Sequence, residues 1–297
     1  MRHLPISAEE AAQRLRGIAL VCAAMLMLSL LDTSAKFAGR YVPTLEVVWA
    51  RYAFSVVFAV LILRSWARPA DYLTRRPFMQ AIRALFLLAS TAFNFMALRY
   101  LQLAEAAAIT FAAPLLVTAF AGPILGEWPG PRRWAAVIVG FVGVLIIVQP
   151  GVGSFQPAAL LSVAAAFCYA GYGLTTRLLS ATETPAGMLV YGSLLAVVVV
   201  TPVLPAVGEL PPDWLVAAAL VATGFFAAIG HWALIHANRH APAPVLAPFQ
   251  YTQILWMPVL GLLVFGDVPG VSTFAGAAVV IASGLYILYR ERVHRDR

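Results

Sequence analysis

Gly126-Glu127-Trp128-Pro129-Gly130 and Gly266-Asp267-Val268-Pro269-Gly270 stand 140 residues apart and say nearly the same thing. Upstream of them, at the same offset, come Ala97 and Arg99 in one copy and Ala237 and Arg239 in the other. Five positions are identical and a sixth exchanges one acid for another. Self-similarity at a long fixed period marks a duplicated unit. In a strongly apolar chain it also marks many secondary transporters, whose substrate sites lie between the repeats.

This chain is strongly apolar: 62% of its 297 residues are hydrophobic and 11% are charged. Soluble proteins run at about 45–50% and about 25%. So few polar groups cannot cover the apolar surface in water, so the surrounding solvent is a lipid bilayer. The net charge of +7 does not signal nucleic acid. The basic residues form short clusters between apolar runs, and no basic stripe interleaved with aromatics appears. Cys22 and Cys168 lie inside apolar runs and read as packing residues, with neither the number nor the spacing of a disulfide framework or metal site. No cofactor is expected. Ser7 with Glu10 fits a capping box. It opens a helix into an apolar segment of about twenty residues from Gly17, long enough to span and too long for the apolar stretch of a cleaved signal.

Apolar runs of span length give ten candidate helices, near 16–38, 44–65, 77–99, 103–125, 131–149, 157–178, 185–205, 212–237, 244–265 and 271–290. With the N-terminus inside, fifteen Arg and Lys side chains fall on the inner side and three on the outer. The positive-inside rule therefore places both termini in the cytoplasm. Five is odd, so two five-helix units must lie in opposite orientations. Loop charges agree: Arg64, Arg68, Arg75 and Arg76 follow the second span, whereas Glu209 and Asp213 follow the seventh. The expected fold is an all-α integral membrane protein of ten helices in two inverted five-helix repeats, 1–150 and 151–297, forming one transmembrane domain.

With that architecture the chain resembles the drug/metabolite transporter superfamily in its EamA-type branch. The resemblance rests on Ala97-Leu98-Arg99-Tyr100, Ala104-Glu105-Ala106-Ala107, Pro114 and Gly126-Glu127, with Pro43 through Arg51-Tyr52 in the second span. It covers almost the whole chain. It implies a bacterial cytoplasmic-membrane protein that exports or exchanges small metabolites, with amino acids as the cargo of one branch. It also implies a central cavity among the first, third, fourth, sixth, eighth and ninth helices, with the fifth and tenth packed to one side. The second copy departs from the pattern, with Val245 where Glu105 stands and Ile254 where Pro114 stands.

Polar groups at membrane depth are costly and face a cavity or a partner. On the first span Met25, Ser29, Asp32 and Lys36 share a face. Asp32 and Lys36 are spaced for an i,i+4 ion pair, either closing on itself or forming a polar wall for a zwitterion. Arg83, Leu87, Ser90 and Asn94 share a face of the third span, with Ser90 and Asn94 the cavity candidates. Ser162, Tyr169, Tyr172 and Thr176 do so on the sixth. His231, Trp232 and His236 mark the eighth, and Gln250 and Gln253 the ninth. Each also fits plain interhelical hydrogen bonding or packing. Pro114, Pro123, Pro202 and Pro258 are candidate bend points, with Pro114 and Pro258 the candidate gates. Glu127 and Asp267 read first as caps of the next helices. Ala136, Gly140, Gly143, Gly276, Ser283 and Gly284 read as close helix packing, and their faces also allow a homodimer.

The leading expectation is export of amino acids or related small metabolites by alternating access, from a monomer or homodimer. Efflux of cationic or aromatic toxic compounds is the transport alternative, with Asp32 its deep acid. An intramembrane enzyme is the remote one, since His231, His236 and His240 lack partner ligands at helical spacing.

Overall fold

A computed structural model describes residues 8–63, 74–150, 156–180 and 182–295. Ser7 of the expected capping box and the loop residues Arg64 and Arg68 lie outside them. The described residues form α1 (Ala8–Ala38), α2 (Thr44–Leu63), α3 (Pro77–Leu98), α4 (Leu103–Thr110), α5 (Ala113–Leu125), α6 (Pro131–Val148) and α7 (Ala159–Leu179). There follow α8 (Pro185–Val200), α9 (Leu204–Val207), α10 (Trp214–His240), α11 (Ala243–Gln250), α12 (Gln253–Leu260), a π-helical turn (Gly261–Phe265) and α13 (Val271–Arg295). No strand occurs among them.

Among the described residues nine spans are long and apolar enough to cross a membrane, two of them built from consecutive pieces, α4 with α5 and α11 with α12. The tenth, α8, has 16 residues, about 24 Å at 1.5 Å per residue and short of a core about 30 Å thick. Pro202, expected as a bend within this span, sits in the turn that ends it. Its missing N–H cannot continue the ladder. Helices α8 and α10 begin on capping side chains. Thr184 Oγ1 accepts the Gly187 N–H at 3.0 Å, and Asp213 Oδ1 accepts the Val216 N–H at 2.9 Å.

Packing repeats with the halves exchanged. The first helix lies along α10 as the sixth-span helix α7 lies along α3; α2 packs on α10 as α8 packs on α3. Likewise α1 touches α11 and α12, and α7 touches α4 and α5. Helices related by the exchange meet at its axis: α2 with α8, the fourth span with the ninth, and α6 with α13. The last pairing is where small residues work. A Cβ on Gly143 would lie 2.9 Å from the Gly276 carbonyl oxygen, so only glycine admits this approach. Gly143 and Gly276 thus meet across the fifth and tenth spans within one chain, while Gly140 packs on Leu115 and Gly284 on Tyr251.

The sequence echo has a backbone cause. Gly126 (φ 75°) and Gly266 (φ 72°) both end helices in the left-handed conformation, where a side chain is strained and glycine is not. Their amides turn back onto Gly122 and Leu262 carbonyls at 2.9 and 3.0 Å, and those of Glu127 and Asp267 reach Ala121 and Gly261 at 3.1 Å. These are matching left-handed caps, and each presents an acid just beyond its helix. Glu127 does not cap the next helix: the N-cap of α6 is Gly130, without a side-chain bond.

A second correspondence was not visible in residue identities. The fourth span breaks between Thr110 and Ala113, and the ninth between Gln250 and Gln253, at the same offset of 140. Pro114 explains the first break, since its missing N–H leaves the Thr110 carbonyl without its helical donor. The second copy has Ile254 there. Its break is a tight turn in which the Tyr251 and Thr252 amides bond Pro248 and Phe249, three residues back. Pro258 lies inside α12, just before the π-helical turn.

Candidate functional site in the central cavity

The two breaks face one central space. A cavity of about 220 Å³ is lined by Thr110, Phe111, Ala113 and Pro114 at one break and by Gln250 and Gln253 at the other. Helix α1 contributes Met25, Leu28, Leu31 and Asp32; α3 contributes Leu87, Ser90, Thr91, Asn94 and Phe95. Tyr169 of α7, His231 and Leu234 of α10, and Arg51 of α2 complete it. The first, third, fourth, sixth, eighth and ninth spans all border this cavity. The second span joins them through one residue, Arg51.

Most polar side chains here are already held. Asn94 Nδ2 donates to Asp32 Oδ1 at 3.2 Å. Ser90 Oγ donates to the Ala165 carbonyl at 3.0 Å, tying α3 to α7. Thr91 shares a 2.8 Å bond with the Tyr52 hydroxyl, and His231 Nδ1 lies 2.7 Å from the Ala227 carbonyl. The amides of Gln250 and Gln253 border the cavity without a bond to another described residue. The wall is mixed: apolar rings and leucines, three side-chain amides, hydroxyls, one imidazole, one acid and one arginine. Such a surface orients a small amphipathic solute by a few polar points.

Other expected residues lie elsewhere. Ser29 is fully buried and donates to the Met25 carbonyl at 2.8 Å, a bond within its own helix. Trp232 stacks on His236 with ring centroids 4.2 Å apart and packs with the cluster where α1, α10 and α11 meet. Tyr172 borders a smaller void of about 20 Å³ shared with Arg51, Arg83 and His231. There its hydroxyl accepts from Arg83 Nη2 at 2.9 Å. Arg83 bonds between helices, away from the central cavity. It is 4% exposed and also donates to Thr176 Oγ1 and the Met188 carbonyl, both at 2.8 Å.

The pair expected within α1 does not form. Lys36 reaches across the molecule to Asp267 Oδ2 at 2.7 Å and to the Leu101 carbonyl at 2.9 Å, with the Phe265 ring 4.9 Å from its ammonium. Only 8% of the Lys36 side chain and 22% of Asp267 are exposed. The other echo acid does the same in reverse. Glu127 Oε1 meets Arg177 Nη2 at 2.7 Å, with 50% and 54% of these side chains exposed. Arg177 lies near the end of α7, as Lys36 lies near the end of α1. Each conserved-offset acid therefore clasps the first helix of the other repeat, and the two clasps sit on opposite faces of the bundle. One is shielded and the other is wet.

At the Glu127 face a third carboxylate ties loops together. Glu183 Oε1 accepts the backbone N–H groups of Arg75 and Arg76 at 3.0 and 3.1 Å. Burial pushes its pKa up, but hydrogen bonds from the Thr74 hydroxyl, Arg75, Gln80 and Arg76 together outweigh that and hold it below the usual glutamate value.

The sequence reading used Arg51 only for the family resemblance and named it in no site; the signal was there, an arginine amid apolar residues in the middle of α2. Thr110 and Phe111 gave no signal beyond the proline that follows.

Comparison with known proteins gives this geometry a family. The EamA-like transporter family matches residues 15–149 and again 156–289, once per repeat. The riboflavin transporter of Vibrio cholerae is 29% identical, over 92% of this chain and 93% of that one. The S-adenosylmethionine uptake transporter of Rickettsia prowazekii is 26% identical over 94% of each. The pseudopaline exporter of Pseudomonas aeruginosa is 25% identical over 90% of this chain and 94% of that one. A solved crystal structure at 18% identity shares the fold with a TM-score of 0.63, over 95% of this chain and 99% of that one. The chain is a multi-pass membrane protein and belongs to the EamA-like transporter family.

Proposed function

We propose that this protein exports amino acids or related small zwitterionic metabolites across a bacterial inner membrane by alternating access. The observation that carries the reading is the central cavity between two discontinuous spans, placed where inverted-repeat transporters bind their cargo. Its volume of about 220 Å³ lies below the roughly 300–1,000 Å³ of ordinary ligand pockets. That size favours a single amino acid over larger cargo in this conformation. The relatives' names cover riboflavin, S-adenosylmethionine and pseudopaline, and both uptake and export, so family membership alone leaves cargo and direction open.

Charge distribution supports the orientation. Fifteen basic side chains against three put both termini in the cytoplasm. The Lys36–Asp267 clasp then closes the outer face and the Glu127–Arg177 clasp spans the inner one. We read residues 1–150 and 151–297 as the two moving units. In alternating access each clasp holds when its own face is shut, so the shielded outer pair and the wet inner pair describe a protein more tightly closed outside. Efflux of cations is supported less, because Arg51 shares the cavity with Asp32.

The test is flux. Protein reconstituted into liposomes is given a panel of labelled amino acids, with folding checked by a cooperative melt. Flux of at least one amino acid supports the reading. Folded protein that moves none of them overturns it.

A further inference from the structure

Arg51 stands out among the cavity residues because it forms no salt bridge with a described residue and leaves one buried donor without an acceptor. It sits mid-way along α2 and is 7% exposed. Its guanidinium carbon lies 4.3 Å from the centre of the Tyr52 ring, and its buried Nε has no hydrogen-bond partner. No carboxylate of the described residues comes within ion-pair distance of it. Asp32 shares the cavity but is engaged by Asn94. An arginine at membrane depth without a salt-bridge partner is expensive to keep, and a buried donor left unpaired adds to the cost.

Arg83 shows what a purely structural arginine looks like in this bundle. All of its nitrogens find neutral acceptors on α7 and α8. Arg51 instead borders both the central cavity and the smaller void beside Arg83. A guanidinium fork matches the oxygens of a carboxylate or phosphate in a bidentate pair. A phosphate monoester would bring nearly two negative charges at neutral pH beside Asp32, against one open arginine. A carboxylate brings one.

We propose that Arg51 is the receptor for the cargo's carboxylate, and that the cargo class of this transporter is carboxylated metabolites. The proposal rests on the central cavity being the cargo site. The Tyr52 ring lies against the guanidinium, and the unpartnered Nε completes its bonding only when the carboxylate arrives.

The experiment uses the full chain in lipid nanodiscs and matched probes: L-leucine against L-leucinamide, 4-methylpentanoate against 4-methylpentanamide, and inorganic phosphate. Thermal melts give the concentration at which each raises Tm. The acids should act at concentrations roughly tenfold or more below their amides, the scale of a charge-assisted hydrogen bond. Arg51→Gln should erase that ratio, while Arg51→Lys keeps part of it; the lysine variant also serves if the glutamine one does not fold. Equal behaviour of acids and amides in the wild type, inertness of both included, overturns the proposal. So does an unchanged ratio in Arg51→Gln, or stabilisation by phosphate without the carboxylates. Liposome flux separates the two readings: flux of amides without acids sinks this inference alone, and flux of neither sinks the transporter reading.

Discussion

Lys36 and Asp267 are 231 residues apart in sequence and 2.7 Å apart in space. Breaking a buried ion pair by removing one partner costs about 3–5 kcal/mol, because the other charge is left unpaired, whereas exposed pairs are worth about 0–1 kcal/mol. Asp267→Asn should therefore lower Tm markedly and Glu127→Gln barely at all, as differential scanning fluorimetry in nanodiscs will show. Equal shifts would contradict the difference in shielding. The left-handed glycines predict the opposite, symmetric behaviour. Neither Gly126 nor Gly266 has a neighbour within 4 Å of an added Cβ, so alanine at either site meets backbone strain alone. Each should cost about 1–2 kcal/mol, and the two melts should shift together. At this scale legibility was uneven for a physical reason. A left-handed cap demands glycine and so leaves its mark in the sequence. A long-range clasp leaves none, and the local i,i+4 rule pointed Lys36 at Asp32 instead.

The elements were legible where composition alone decides them. Apolar runs bounded by Pro, Gly and charge located nine spans closely and overextended α8, whose terminal Pro202 is a stop. The broken helices were half legible: Pro114 announces one break, while the other is made by backbone hydrogen bonding around Tyr251 and carries no residue in common with it. The start of α3 offers a pH test. Glu183 has a lowered pKa, so its hydrogen bonds to Arg75 and Arg76 stabilise the fold fully above the ordinary glutamate value of about 4.3. That contribution is lost as pH falls through the depressed folded value. The Tm difference between wild type and Glu183→Gln should be present at pH 7 and shrink on acidification below about pH 4. A difference that stays constant across that range would show that the carboxylate's charge plays no part.

For the molecule as a whole, the sequence echo and the exchanged packing are two views of one symmetry. Duplication explains why each half's acid clasps the other half's first helix, and why both cavity-lining spans break at one offset. The cavity itself is not symmetric: Asp32, Asn94 and Arg51 face it from one repeat, His231 and the two glutamines from the other. Turns and caps were readable because every copy of the fold needs them. The cavity residues were only partly readable, since spacing cannot tell a side chain facing a void, such as Asn94, from one bonded within its own helix, such as Ser29. Counterflow tests the central claim, a cavity exposed alternately to the two faces, most directly. Proteoliposomes loaded with an unlabelled amino acid that the protein carries are diluted into a trace of the labelled one. A carrier that alternates should accumulate label transiently above its equilibrium level, whereas label that only rises monotonically to equilibrium would contradict alternating access.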